Sequence, residues 1–318
     1  MLYLVTGGSG SGKSEYAENL AQRLCQDQAE RERWYLATMI PYGAETEKKI
    51  ARHRRMRKEK GFLTKECYLD LNGFVQKEQE KGNRPACVLL ECMSNLTANE
   101  MFEEKGAGKN TFTAIVAGVK ALCSLSENVV VVTNEVCSEA AQDSPEMLLY
   151  KQILGALNCR MGKQAARVTE VVYGAPVMVK ERNCRMEQER KKEGIHLVIG
   201  GAFQGKTAYV KRKNPNLTWC DGETCDLDAV WKADGILHFE RWIRRWMEAG
   251  RAVSRLAERL IEENPNRVIV STEIGYGLVP VDSFDREYRE AVGRICTKLG
   301  KEAVQIERIV CGIPTIIK

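Results

Sequence analysis

Apolar and polar positions follow two rhythms along this chain. Leu2-Tyr3-Leu4-Val5-Thr6 is a short apolar run of the strand type, and it leads into Glu15 to Leu24, where Tyr16, Leu20 and Leu24 recur at helical spacing. The same sequence of apolar run and periodic segment then repeats. Trp34 to Thr38, Cys87 to Glu91, Val129 to Thr133 and Thr169 to Tyr173 read as strands. Between the last two, Leu149, Ile153, Leu157 and Met161 form one helix face. His196 to Ile199 opens a second series, in which Tyr288, Ala291, Ile295 and Leu299 mark a corresponding helix. Strands that alternate with helices predict a mainly parallel sheet covered by helices.

The two series correspond in detail. Val129-Val130-Val131-Val132-Thr133-Asn134-Glu135 matches Val268-Ile269-Val270-Ser271-Thr272-Glu273 around a shared glutamate, and the run Val172 to Lys180 matches Val310 to Lys318. The spacing from Glu135 to Lys180 is 45 positions, and so is that from Glu273 to Lys318. Independent domains have no reason to keep such a spacing, so the chain reads as a tandem duplication. The second copy is the shorter: its stretch before the shared glutamate lacks about 55 residues, the difference between two spans counted along the chain. A first domain over 1–180, a charged linker over 181–194 and a shortened second domain over 195–318 follow from this pattern.

Each copy carries a phosphate-loop pattern directly after its first strand. Gly7-Gly8-Ser9-Gly10-Ser11-Gly12-Lys13-Ser14 is one, and Gly200-Gly201-Ala202-Phe203-Gln204-Gly205-Lys206-Thr207 is the other. Glycines let successive backbone N–H groups turn inward around phosphate oxygens at a helix N-terminus. Lys13 can then reach the outer phosphates, and the Ser14 hydroxyl can ligate Mg²⁺. Glu91, at the end of an apolar strand, is a second oxygen ligand of the kind Mg²⁺ takes, directly or through water. In the second loop Phe203 and Gln204 stand where the first has Gly10 and Ser11; Gly205, Lys206 and Thr207 are its candidate phosphate contacts. The fold class is therefore α/β: a P-loop NTPase-like, mainly parallel sheet with flanking helices, in two tandem copies, with nucleotide at the carboxyl ends of the strands.

Composition narrows the field. At 318 residues, 44% hydrophobic and 29% charged, the chain has the profile of a globular protein of two domains. It lacks an 18-residue apolar run, and its N-terminus starts a strand instead of a leader, which predicts no membrane span and a cytoplasmic location. A net charge of +5 is too modest for a dedicated nucleic-acid binder. The twelve cysteines include no Cys-x2-Cys pair and read as reduced structural thiols. Cys220 and Cys225 with His238 offer three zinc-type ligands and no evident fourth; the apolar helical spacing around His238 favours a packed helix residue.

His53 stands out among the three histidines, His53, His196 and His238. It lies in Ile50-Ala51-Arg52-His53-Arg54-Arg55-Met56-Arg57-Lys58, inside a predicted helix over about 45–60. Like-charge repulsion from the arginines favours the neutral imidazole. A neutral imidazole has a lone pair able to attack phosphorus, and guanidinium groups nearby hold phosphate oxygens. The residues alone leave a second reading open, a solvated basic helix face that binds nothing in particular.

The set as a whole resembles a known family. The first phosphate loop, Tyr35-Leu36-Ala37-Thr38, Ile50 to Arg54, Leu89-Leu90-Glu91-Cys92 and Thr133-Asn134-Glu135-Val136 occur in the order seen in bifunctional adenosylcobinamide kinase/adenosylcobinamide-phosphate guanylyltransferases. The resemblance runs through the whole first half. It implies NTP-dependent phosphorylation of adenosylcobinamide, then transfer of GMP from GTP to the new phosphate through a GMP–histidine intermediate, with GTP and ATP as substrates and Mg²⁺ as cofactor. Carried onto this chain, it makes His53 the nucleophile and Lys13 its catalytic partner. Gly7 to Ser14 would hold nucleotide phosphates, and Ala37, Thr38, Met39, Arg54, Arg55, Met56, Arg57, Glu66 and Glu91 would line the guanine nucleotide site. A homo-oligomer is implied as well.

Two departures qualify that expectation. The family's Gly-x-Gly-x-x-Pro loop is replaced in the first half by Cys137 to Gln142, whereas the second half keeps it as Gly275-Tyr276-Gly277-Leu278-Val279-Pro280. The second half in turn has no counterpart of the His53 segment. Functional complementation is the expected consequence, with the first half supplying nucleotide and nucleophile and the second supplying the glycine loop. Two alternatives stand beside it: retention of only one of the two activities, and a GTP-binding regulatory protein without turnover.

Overall fold

The computed structural model describes residues 1–8, 10–28, 30–41, 60–136, 144–181, 193–274 and 282–318. The chain divides into two compact units, Met1–Glu135 with Glu146–Cys184, and Val136–Pro145 with Arg185–Lys318.

In the first unit, β1 (Leu2–Thr6), β2 (Arg33–Ala37), β3 (Phe62–Glu66), β4 (Cys87–Glu91), β5 (Asn128–Val132), β6 (Arg167–Val172) and β7 (Ala175–Glu181) make one sheet in the order β3-β2-β4-β5-β1-β6-β7. All pairings are parallel except the β6–β7 hairpin. Helix α1 (Lys13–Leu24) follows β1, and α2 (Leu71–Glu80), α3 (Met93–Phe102), α4 (Thr111–Leu125) and α5 (Pro145–Gln164) complete the crossovers. β4 and β5 are apolar at nearly every position because a parallel sheet is covered on both faces. Alternation still assigns sides: Val5, Leu89, Val130 and Val132 pack with Ala17 and Leu20 of α1. Each buried Val or Leu among them contributes ~1.5–3 kcal/mol relative to exposure.

The second unit repeats this plan with fewer pieces. β8 (His196–Ile199), β9 (Trp219–Asp221), β10 (Gly235–Leu237), β11 (Val268–Val270), β12 (Gln305–Val310) and β13 (Ile313–Ile316) are ordered β13-β12-β8-β11-β10-β9. Its helices are α6 (Lys206–Lys213), α7 (Phe239–Glu248), α8 (Leu256–Glu263) and α9 (Ser283–Glu302), the last begun by Asp282, whose carboxylate accepts the Asp285 N–H at 3.0 Å. Against α6 stand Val198, Val268 and Val270; on the other face Leu197, Ile236 and Ile269 meet Phe239, Trp242, Leu260 and Ile295. Read strand for strand, β8 to β13 reproduce β1, β2, β4, β5, β6 and β7. The second copy has thus lost the stretch between β2 and β4, which holds His53, β3 and α2.

Several sequence expectations shift. β3, β9 and β10 are too short or too mixed in composition to stand out from sequence. The α5 face is turned from the predicted one: Leu157 and Met161 are buried, but Leu149 is half exposed and Lys151, Leu154 and Asn158 take the inner positions. The predicted α9 face holds, since Tyr288, Ala291, Ile295 and Leu299 are all buried. His238 is not a packed helix residue. It sits just before α7 with φ 49°, and its Nδ1 lies 2.8 Å from Asp221 Oδ1.

Candidate active site

The first phosphate loop is shaped by three backbone requirements. Gly7 has φ 154°, and a Cβ there would lie 2.5 Å from the Val171 carbonyl oxygen. Gly12 turns left-handed at φ 86° to start α1. Between them the Ser11 N–H reaches the Gly8 carbonyl at 3.2 Å, and the Gly174 N–H ties the Ser11 carbonyl to the β6–β7 turn at 2.8 Å. Lys13 is buried and folds back so that its amine donates to the Gly8 carbonyl at 2.9 Å. Burial lowers the Lys13 amine from its ordinary value, against the opposing pull of Cys92 and Glu91. The amine therefore lies at the loop that follows β1.

Glu91 meets the loop from the sheet. Its carboxylate accepts a hydrogen bond from the Ser14 hydroxyl. The parallel register puts Glu66, Ala37, Glu91 and Val132 in one row across β3, β2, β4 and β5. Thr38, fully buried, holds the β4 end: its N–H donates to the Glu91 carbonyl at 3.1 Å, and its hydroxyl bridges the Cys92 N–H and carbonyl at 2.7 and 2.9 Å. Asn99 of α3 in turn donates to the Thr38 carbonyl at 2.8 Å. Met39 is exposed beside them, and so is Glu66. Gly7, Gly8, Gly10 to Ser14, Ala37 to Met39, Glu66 and Glu91 therefore share the carboxyl edge of the first sheet. His53, Arg54, Arg55, Met56, Arg57 and Ser9 lie outside the described residues.

The second phosphate loop keeps the backbone and changes the chemistry. Gly200 has φ 144°, with the Ile309 carbonyl oxygen 2.5 Å from where a Cβ would be, and Gly205 again has φ 86°. Phe203 takes the left-handed place of Gly10 at φ 55°. The Gln204 side-chain oxygen accepts the Cys311 N–H at 2.5 Å, and Lys206 donates to the carbonyls of Gly200 and Gly201 at 2.9 and 2.6 Å. Glu273 accepts Arg308 Nε at 3.1 Å. Register decides the largest difference. Val131 and Ile269 each precede the shared glutamate by the same interval; beside them stand Leu90 and Ile236, and the next residues are Glu91 and Leu237. A buried leucine thus replaces the acid. Gly275, Tyr276 and Gly277 lie outside the described residues.

Among the described residues Cys220, Cys225 and His238 are not brought together as a set of metal ligands. His238 is engaged with Asp221, and the nearest set of potential ligands is Asp221, Glu223 and His238, whose atoms lie within 4.8 Å of one another. Burial, with Cys225 beside it, pushes the Cys220 thiol up to about 12, away from the thiolate form a metal takes. No disulfide joins the described cysteines. Among the described residues no helix is long and apolar enough to cross a membrane.

The family model for cobinamide kinase / cobinamide phosphate guanyltransferase (CobU) matches residues 3–179 and again 227–317. The chain belongs to this CobU family. The second CobU match begins downstream of Gly200 to Thr207, consistent with the altered second loop. Two similar relatives are the bifunctional adenosylcobalamin biosynthesis proteins CobU of Escherichia coli K12, 30% identical, and of Salmonella typhimurium LT2, 28% identical. Each aligns over 191 residues, 57% of this chain and 100% of the relative. Among solved structures, a KaiC-like protein of Pyrococcus horikoshii OT3 aligns with a TM-score of 0.36 at 10% identity over 59% of this chain and 82% of its own. The flagellar accessory protein FlaH of Methanocaldococcus jannaschii gives 0.32 at 12% identity over 57% and 78%. The α/β class of this CobU-family chain stands on its own strand order.

Proposed function

We propose that this protein phosphorylates adenosylcobinamide and then transfers GMP from GTP to adenosylcobinamide phosphate, and that the domain over 1–180 supplies the nucleotide site and the nucleophile. The observation that supports this best is the meeting of Lys13, Ser14 and Glu91 at the carboxyl ends of β1 and β4. Phosphoryl transfer needs little covalent help from a protein; it needs a phosphate cradle and neutralised charge. The loop N–H groups and Lys13 supply these. Ser14 and Glu91 are a pair of hard oxygen ligands, a donor set that fits Mg²⁺. The ion, when bound, would draw charge from the phosphates and help orient them.

In the kinase step the aminopropanol hydroxyl oxygen attacks the γ-phosphorus and gives up its proton to solvent, and the bond from that phosphorus to the β-phosphate bridging oxygen breaks, releasing nucleoside diphosphate. In the second reaction a ring nitrogen of His53 attacks the α-phosphorus of GTP and pyrophosphate leaves. A phosphate oxygen of adenosylcobinamide phosphate then attacks the histidine-bound phosphorus, the P–N bond breaks and the imidazole is restored. Arg54, Arg55 and Arg57 would hold phosphate oxygens during these displacements, and Ala37 to Met39 and Glu66 would face the nucleotide. Residues 195–318 form, in this reading, a shortened copy without its own nucleotide chemistry. A cytoplasmic location and a homo-oligomeric state belong to the same proposal.

Incubation with α-labelled GTP tests it. Acid-labile label should appear on the wild-type protein and be absent from His53→Ala, and cobinamide-dependent γ-phosphate transfer should be lost in Lys13→Ala. Label retained by His53→Ala would refute the nucleophile. GTP binding without label or transfer would favour the regulatory alternative.

A further inference from the structure

Asn134 follows β5, the strand that lies between the two walls of the phosphate-loop site. β5 lies between β1, which carries the loop, and β4, which carries Glu91. The ladder runs on past the strand end: the Thr133 N–H donates to the Val5 carbonyl at 2.9 Å and the Glu135 N–H to the Gly7 carbonyl at 3.0 Å. Asn134 is thereby held level with the start of the loop.

Alternation fixes its side. Val130 and Val132 face α1, as Leu89 does on β4, and Glu91 continues that row to reach Ser14. Asn134 continues the β5 row in the same direction, whereas Thr133 points the other way and donates to Asn158 Oδ1 of α5 at 2.7 Å. The carboxamide itself is oriented from behind. Its Nδ2 donates to Ser94 Oγ at 2.7 Å; Ser94 is also 3.1 Å from Cys92 Sγ, and its carbonyl accepts Tyr150 Oη at 3.3 Å. An amide nitrogen has two hydrogens to give. Among the described residues the only other partner of Nδ2 is Cys92 Sγ at 4.0 Å, the outer limit of a contact with a weak acceptor. Cys92 is also one of the groups the Lys13 amine feels.

The geometry points to Asn134 as the residue that reads the terminal phosphate: its second N–H donates to a γ-phosphoryl oxygen of the bound triphosphate. This rests on the first loop binding nucleotide as proposed above, and it adds a contact to the terminal phosphate beside the one expected of Lys13. A nucleoside diphosphate lacks the acceptor, so the contact separates GTP from GDP. The second unit has Thr272 at the matching position, with its N–H bound to Glu240 Oε2 at 2.9 Å, and gives no equivalent carboxamide.

The affinities of the full chain for GTP and for GDP, each measured with Mg²⁺ by calorimetry, provide the test. Asn134→Ala should weaken GTP on the order of ten- to a hundredfold, as expected for a hydrogen bond to a charged group, and leave GDP within about twofold. Asn134→Asp, which keeps the shape, should weaken GTP at least as much because its carboxylate faces the phosphates. A residue that only braces Ser94 would lower both affinities together in Asn134→Ala; that result, or no change in either, overturns the inference while leaving nucleotide binding intact. Wild-type protein that binds neither nucleotide overturns the underlying reading, and this one with it. Should Asn134→Ala not fold, the GTP-to-GDP ratio of Asn134→Asp decides alone.

Discussion

Glu91→Leu converts the first site into what the second unit already has. At the matching position Leu237 is buried with Val198, Val210 and Val270, so this architecture accepts a leucine there. The variant should fold, with a melting temperature within a few degrees of wild type. Function should fall for two reasons that the structure separates. The Ser14 hydroxyl loses its charged acceptor, and the Lys13 amine, already lowered by burial, loses one of the negative neighbours that favour its protonated form. A hydrogen bond to a charged group is worth ~1.5–3 kcal/mol, which corresponds to about 10- to 150-fold in rate if it is expressed in the transition state. Steady-state γ-phosphate transfer to cobinamide at saturating Mg²⁺ measures kcat/KM directly, and Glu91→Gln distinguishes loss of charge from loss of shape. A Glu91→Leu enzyme that keeps kcat/KM within about threefold of wild type would remove Glu91 from the reaction and refute the assignment of the metal pair. A variant that unfolds would instead contradict the equivalence of Glu91 and Leu237.

Two further outcomes test the electrostatics and the packing. Burial opposes ionisation of Glu78, yet hydrogen bonds from Lys81, Lys65 and Asn83 outweigh it and bring its carboxyl down to about 2. A carboxyl depressed on folding stabilises fully above its unfolded value of about 4.3 and loses that contribution as pH falls towards the folded value. Chemical denaturation of Glu78→Gln should therefore show a smaller loss of stability between about pH 5 and 2 than wild type. Trp242 is fully buried among Phe239, Trp231 and Trp246, and its Nε1 donates to the Leu227 carbonyl at 3.1 Å. Trp242→Ala should cost ~3–5 kcal/mol of second-unit stability in urea unfolding followed by fluorescence, and an unchanged midpoint would contradict that packing.

The segments legible in the sequence are those whose signal is local. β1, β4 and β5 are short runs of Val and Leu, the phosphate loop needs its glycines at fixed offsets, and the common spacing from Glu135 to Lys180 and Glu273 to Lys318 records a duplication. None of these depends on what lies across the sheet. The family likeness came from the same local motifs, because their order survives even where the chain departs between them.

Tertiary structure decided what depends on partners distant in sequence. Leu149 belongs to a plausible helix face yet is half exposed, because the orientation of α5 is set by the sheet it covers. His238 reads as a core residue until Asp221 appears beside it. The loss of the acid in the second copy is invisible along the chain, since only the pairing of β10 with β9 and β11 shows that Leu237 stands where Glu91 does. Asn134 is legible in the sequence as part of a family-like motif, but only the place of β5 between β1 and β4 sets it beside the phosphate loop. Local spacing determined that this chain carries two phosphate loops. Strand register, which joins residues far apart in the chain, decided that Leu237 in the second copy stands where the first has Glu91.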